Sequence, residues 1–60
     1  MAKRIFVPYF KKGNDIEAGA DIVASDIQQV RDYFSDDPTL VDIEDFGELE
    51  GRISDEMEEI

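Results

Sequence analysis

The stretch RIFVPYFKKGNDIEAGADIVA, residues 4–24, predicts a β-hairpin and thereby decides the fold class. Its opening part, RIFVPYF, is rich in β-branched and aromatic residues, which favour strands. The following KKGND is typical of a turn, because Gly13 and Asn14 can adopt positive φ. In the remainder, apolar residues alternate with polar ones, as in a half-buried strand; the apolar ones are Ile16, Ala18, Ala20, Ile22 and Ala24.

A helix is the alternative for the second half of this stretch. Ile16, Ala20 and Val23 would then share one side, but Gly19 would lie in the middle of the helix at a cost of about 1 kcal/mol. We therefore favour the hairpin. Because Pro8 has no amide hydrogen, we expect the first strand to lie at a sheet edge or to carry a bulge.

A helix is predicted after the hairpin, from about Asp26 to Ser35. Ser25 and Gln28 have the spacing of a capping box. Three apolar residues then recur at i, i+3 and i+7 and share one side: Ile27, Val30 and Phe34. Pro38 disfavours helical geometry at the residue before it, so the helix should end ahead of it.

The stretch TLVDIE, residues 39–44, reads as a third strand with Val41 and Ile43 on the same face. The tail beyond it has two interpretations. Apolar residues spaced by three or four predict an amphipathic helix from near Glu48, in which Glu48 and Arg52 would pair; they are Phe46, Leu49, Ile53, Met57 and Ile60. Gly47 and Gly51 weaken that helix, and DFG could instead be a hairpin turn followed by a strand ELEGRI.

The predicted fold is therefore α/β of the α+β type: a single small acidic domain over residues 1–60. Its elements are a ββαβ arrangement with an antiparallel hairpin, one packed helix and a C-terminal amphipathic helix. The first strand is apolar on both faces, with Ile5, Val7 and Tyr9 on one and Phe6 and Phe10 on the other. Either the tail or a second chain must cover the second face, so a homodimer is an open alternative.

The residue types limit the chemistry. The chain has no Cys and no His, so carboxylates, Tyr and Lys are left for proton chemistry. We expect no enzyme, no catalytic residue and no cofactor. Asp42, Glu44 and Gly47 match positions 1, 3 and 6 of a calcium loop, but Phe46 and Ile53 occupy positions that need oxygen ligands. We expect no metal site.

The opening stretch MAKRIFVPYFKKG, residues 1–13, resembles a secretion signal only in having basic residues before an apolar run. That run is short, contains Pro8 and lacks a small-residue cleavage site. No stretch approaches the roughly 20 apolar residues that cross a bilayer. We expect a cytoplasmic protein without a membrane partner.

Charge is distributed unevenly along the chain. The net charge is −10; residues 1–12 carry +4 and residues 13–60 carry −14. Cross-strand pairing of Lys11 or Lys12 with Asp15 or Glu17 would satisfy part of this asymmetry within the chain.

Eleven of the 16 acidic residues lie in residues 36–60. A domain of this size should span about 25–30 Å, over which duplex DNA presents about 16 phosphate charges. We predict a non-enzymatic module that mimics nucleic-acid charge, occupies a basic surface of a nucleic-acid-binding protein and inhibits it. The predicted partner-binding residues are Asp36, Asp37, Asp42, Glu44, Asp45, Glu48, Glu50, Asp55, Glu56, Glu58 and Glu59.

Two other interpretations remain open. The acidity could serve solubility or adaptation to high salt. Alternatively, the protein could be a structural component that dimerises or docks on a larger complex through the first strand and the apolar residues of the tail. Charge mimicry predicts a salt-sensitive affinity, whereas apolar docking predicts a salt-insensitive one. Direct binding to nucleic acid is not expected, because the net charge opposes it.

Overall fold

The computed structural model describes residues 3–49 and 57–60. These residues form a mixed β-sheet and one helix, which confirms an α+β fold. The elements are β1 Arg4–Lys12, β2 Asp15–Ala18, β3 Ile22–Ala24, α1 Ile27–Tyr33, β4 Leu40–Glu48 and β5 Glu58–Glu59.

Strand β1 is the centre of the sheet. Along one edge it pairs antiparallel with β2 and β3, and along the other it pairs antiparallel with β4. The outer edge of β3 pairs in parallel with β5. The strand order across the sheet is therefore β4, β1, β3, β5. Strand β2 pairs with the same edge of β1 as β3 does, but with its second half.

The predicted hairpin is present, with Gly13 at φ +63° in its turn. Its second arm, however, is two strands, because three residues, 19–21, lie opposite only Val7 and Pro8. This bulge shifts the phase of the side chains, and the predicted apolar face does not form. Ile16 is 63% exposed, whereas Ile22, Val23 and Ala24 are all buried.

Pro8 does not lie at a sheet edge, which corrects half of the prediction; the expected bulge is found in the neighbouring strands. The carbonyl of Pro8 accepts a hydrogen bond of 2.8 Å from the amide of Gly19, at the start of the three-residue bulge. Pro8 can occupy a central strand because the opposing segment of the same chain, residues 19–21, is bulged. A regular ladder would need an amide hydrogen at this position, which proline lacks.

Helix α1 is shorter than predicted by a residue or two at each end, and its cap is shifted by one residue. Asp26, rather than Ser25, is the N-cap: its side chain accepts a hydrogen bond of 2.9 Å from the amide of Gln29. The side chain of Gln29 accepts in return from the amide of Ser25 at 2.8 Å. The first bond is that of a capping box one position further along the chain, whereas the return bond comes from the residue before the N-cap rather than from the N-cap itself.

The core lies between α1 and one face of the sheet. Phe6, Ile22, Ala24 and Val30 are fully buried there. Partly buried residues complete it, including the two other predicted helix positions: Ile27, Phe34, Ile43 and Ile60. The predicted side of the helix is thus confirmed.

The opposite face of β1 is also covered within the single chain. Ile5 and Val7 are at most 9% exposed, and Val23, which pairs with Ile5, is fully buried. The apolar surface of β1 that suggested a second chain is therefore largely buried.

Strand β4 is longer than predicted and carries two irregularities. Val41 is an extra residue between the positions paired with Tyr9 and Phe10, and Phe46 and Gly47 together lie opposite Ile5 alone. Gly47 adopts φ +95°, which explains the glycine at the second bulge. The first bulge separates Val41 from Ile43: Val41 is 48% exposed, whereas Ile43 packs against the core. Their predicted common face is wrong.

The predicted C-terminal helix is not found in the described residues. Glu48, its expected start, ends β4, and Glu58–Glu59 forms β5. The DFG residues lie within β4, so they are not a hairpin turn. The middle of the predicted helix, including Ile53, lies outside the described residues, as does most of the strand ELEGRI. In the part of the chain that the structure describes, no helix is long and apolar enough to span a membrane.

Candidate functional site: the acidic surface

Eight of the eleven predicted partner-binding residues are described by the structure, and they lie in three places. Glu50, Asp55 and Glu56 are outside the described residues. The turn after α1 contains Asp36 and Asp37, β4 contains Asp42, Glu44, Asp45 and Glu48, and β5 contains Glu58 and Glu59. All eight are exposed except Asp37, which is half-buried.

The acids of β4 and β5 do not form one patch. These strands lie at opposite edges of the sheet, three strand spacings apart, which is about 14 Å. The tail appears as one acidic run in the sequence, but the fold divides it between two edges. A flat basic surface would therefore engage one edge at a time, and the β4 edge with the preceding turn carries more of the acids.

Along β4, Asp42 and Glu44 lie on the same face as Tyr9 and Val7, the residues directly opposite them in β1. Alternate residues of a strand are about 6.7 Å apart, so these two carboxylates are spaced by roughly that distance. The Tyr9 hydroxyl donates a hydrogen bond of 3.1 Å to Oε1 of Glu44. Partial burial raises the pKa of Tyr9, and the hydrogen bond to Glu44 and the charges of Glu44 and Asp42 add to this.

Asp37 has a structural role in the turn that leads into β4. Its Oδ1 accepts hydrogen bonds from both the hydroxyl and the amide of Thr39, the latter at 2.9 Å. The Thr39 hydroxyl, followed by its amide, lowers the pKa of Asp37 below the ordinary value. The sequence contains a signal for this role, because Asp side chains in turns commonly accept from the backbone amide two residues further on, as in an Asx turn.

Asp45 also stabilises the fold. Its carboxylate accepts from the amide of Gly47 at 2.8 Å and from Nε of Arg4 at 3.1 and 3.2 Å. The Gly47 amide, and then Arg4, lower the pKa of this carboxyl. Asp45 therefore holds the second bulge of β4 in place and is less available to a partner than its neighbours.

Three basic residues are paired with acids of the same chain. Lys3 contacts Glu59 at 3.3 Å, Arg4 contacts Asp45 at 3.1 Å, and Lys12 contacts Glu17 at 3.8 Å. The last pair confirms the predicted cross-strand pairing. Three of the five basic residues that the structure describes are thus engaged within the chain. Over the whole sequence the acids outnumber the basic residues by ten, so the protein remains strongly negative.

Asp42, Glu44 and Gly47, which match part of a calcium loop in the sequence, lie in β4. Asp42 and Glu44 lie on one face of the strand, whereas Asp45 is engaged by Arg4 and Gly47. Within residues 3–49 and 57–60, no group of three or more acidic side chains is arranged to hold a metal ion.

A shallow groove of about 260 Å³ lies between α1 and β4 and was not predicted from the sequence. It is lined by Arg31 of the helix and by four residues of the strand, Leu40, Val41, Asp42 and Ile43. Its volume is below the roughly 300–1,000 Å³ of typical small-molecule sites. The groove arises at the first bulge of β4, for which the alternation of residues gives no signal.

Comparisons with protein-family models, curated proteins and solved structures gave no significant match.

Proposed function

We propose that this protein is a non-enzymatic acidic binding module that occupies a basic surface of a nucleic-acid-binding protein and thereby competes with nucleic acid. The observation that carries the proposal is a net charge of −10 in which acids dominate the surface while Lys3, Arg4 and Lys12 are held by the chain's own carboxylates. Such a surface attracts cations over several ångströms and would gain the electrostatic energy meant for phosphates.

The binding surface in this proposal is the β4 edge with the turn that leads into it. Asp36, Glu44 and Glu48 are exposed there. The longest dimension of the molecule is 35 Å, which is of the order of one turn of duplex DNA. A groove that accommodates a duplex could therefore accommodate this chain along its length.

The partner would contribute Arg and Lys side chains, and its affinity should depend strongly on salt. The Debye length falls from about 30 Å at 0.01 M ionic strength to about 8 Å at 0.15 M. Contacts made by exposed carboxylates weaken over this range, whereas a buried apolar interface changes little.

The test is affinity capture from nuclease-treated lysate with salt-graded elution, using two charge-matched variants. The triple variant D36N/E44Q/E48Q removes three charges from the proposed surface, and D15N/E17Q/D21N removes three from β2 and from the bulged segment before β3. We expect capture of a nucleic-acid-binding protein by the wild type and by the second variant, and about tenfold or greater loss with the first.

Competition then tests the mimicry itself. A duplex DNA or structured RNA oligonucleotide should displace the captured protein, because both ligands would use one basic surface. Simultaneous binding of oligonucleotide and acidic chain, or equal losses in the two triple variants, would contradict the proposal.

An assembly function is a second candidate, and two exposed apolar residues of β4 favour it. Phe46 is 58% exposed and Val41 is 48% exposed. Docking through these residues would be abolished by V41S/F46S and would persist at about 1 M salt, where charged contacts are screened within about 3 Å. Salt-graded elution of V41S/F46S beside D36N/E44Q/E48Q distinguishes the two functions.

A further inference from the structure

The backbone of β4 has one edge that none of the described residues pairs with. The directions of two hydrogen bonds define this edge. The amide of Lys11 donates to the carbonyl of Thr39 at 2.8 Å, so the odd-numbered residues of β1 direct their backbone groups towards β4. The carbonyl of Pro8 accepts from Gly19 at 2.8 Å, so the even-numbered residues face the opposite side.

The register then shows which amides of β4 point outwards. Asp42 is opposite Tyr9 and faces β1, whereas Ile43 is opposite Pro8 and faces away from β1. The amide of Ile43 would thus be open to an additional strand. Instead, it donates a hydrogen bond of 2.8 Å to Oδ1 of Asp42, the residue before it.

The rest of this edge is also unsuited to strand addition. Bulges at Val41 and at Phe46–Gly47 leave only the stretch from Asp42 to Asp45 in regular register. Bulges, charged side chains and short regular stretches are the devices by which sheet proteins prevent pairing between edges. By the same register, Ile43 and Asp45 are the residues of this stretch whose amides point outwards, so a new strand would need both of them, and the amide of Ile43 is already occupied by Asp42.

We propose that Asp42 closes the β4 edge by occupying the amide of Ile43, and that removal of this cap opens the edge to a second copy of the same chain. This role concerns the side-chain oxygen as an acceptor and is distinct from the charge of Asp42. It does not depend on the proposed function, and it implies that any natural partner of this edge is bound by side chains rather than by strand addition.

The experiment separates the cap from the charge with three variants. Asp42→Ala removes both, Asp42→Asn removes the charge but keeps an acceptor oxygen, and Asp36→Ala is a charge-matched control in the exposed turn. Amide exchange at Ile43 is measured by NMR, and the weight-average mass is measured by sedimentation at about 1 M NaCl, where repulsion between acidic copies is screened.

We expect the Ile43 amide to exchange about fivefold faster in Asp42→Ala than in the wild type, as for the loss of one ordinary hydrogen bond. The mass of Asp42→Ala should rise with protein concentration above that of the wild type, while Asp42→Asn and Asp36→Ala match the wild type. The proposal is overturned if Asp42→Ala matches the wild type in mass or exchange, or if Asp42→Asn associates as strongly as Asp42→Ala.

Discussion

Arg4 and Asp45 are 41 positions apart in the sequence, and the guanidinium of Arg4 contacts both carboxylate oxygens of Asp45 at 3.1–3.2 Å. The pair joins the start of β1 to the second bulge of β4, where Asp45 also accepts from the amide of Gly47. Asp45, which is predicted from the sequence to bind a partner, therefore stabilises the fold.

Lowering the pH should therefore weaken the contributions of Asp45 and Asp37 to the stability of the fold. Hydrogen bonds lower the folded-state pKa of both carboxyls below the ordinary value of 3.8. A lowered folded pKa stabilises the fold above the unfolded value, and this stability is lost as pH falls through the folded value. We expect D37N/D45N to be less stable than the wild type at about pH 7, with the difference disappearing towards about pH 2.

Urea unfolding at a series of pH values measures this difference. Thr39→Val is the intermediate control, because it removes only the hydroxyl that has the largest effect on Asp37. A difference that stays constant down to the lowest pH would show that ionisation of these carboxyls is not what stabilises the turn and the bulge.

The helix should depend on Val30 more than on any exposed valine. Val30 is 0% exposed, whereas Val41 is 48% exposed. Val30→Ala should cost about 2 kcal/mol, a large part of the roughly 3–5 kcal/mol available to a domain of this size, and Val41→Ala should stay within about 0.5 kcal/mol. Urea unfolding followed by circular dichroism compares the two, and similar losses would contradict the described core.

Gly19 should not tolerate a side chain. An added Cβ would lie 2.7 Å from Cε2 of Phe10 and 3.2 Å from Cγ of Pro8. The Phe10 ring cannot move freely, because it packs edge-to-face on Phe34 with centroids 5.3 Å apart. We expect Gly19→Ala to cost about 1–3 kcal/mol and Ala20→Ser, at the exposed next position, to be nearly neutral. Thermal unfolding of the two variants checks this, and a stable Gly19→Ala protein would argue against the close contact.

The N-cap of α1 gives a prediction with a conservative control. Asp26 accepts from the amide of Gln29 at 2.9 Å, and Asn can accept the same bond. Asp26→Ala should cost about 1 kcal/mol and Asp26→Asn only a few tenths. Equal losses, measured by urea unfolding, would indicate that the charge rather than the hydrogen bond matters.

Local elements can be predicted well from the sequence where the apolar residues keep one regular spacing throughout the element. The side of α1 formed by Ile27, Val30 and Phe34 follows from spacing alone, and the hairpin turn follows from Gly13 and Asn14. The failures lie at the bulges near Gly19, Val41 and Gly47, since one extra residue reverses the alternation on which a face is predicted.

The tail and the acidic surface could not be predicted for a different reason. Phe46 and Leu49 have helical spacing, but an extra residue in a strand produces the same interval. The assignment of Glu48 and Glu58 to opposite sheet edges depends on pairings with Arg4 and Ile22, which are distant in the sequence. No local pattern contains that information.

Salt should stabilise the folded chain, because repulsion among its acids outweighs its ion pairs. All three described ion pairs join side chains that are more than a third exposed, so solvent screening leaves each of them only a small contribution to stability. Opposing them is a net charge of −10 within a radius of gyration of 11.5 Å, close to the Debye length of about 10 Å at 0.1 M. Screening removes more repulsion than attraction, so the melting temperature should rise between about 0.01 M and 1 M NaCl.

D15N/E17Q/D21N is the informative control in this titration. This variant is less negative by three charges, so its melting temperature should be higher at low salt and should rise less when salt is added. We expect this even though the variant loses the Lys12–Glu17 pair. A melting temperature that falls with salt in the wild type would mean that the ion pairs dominate, and the acidic surface would then be held together by its few cations.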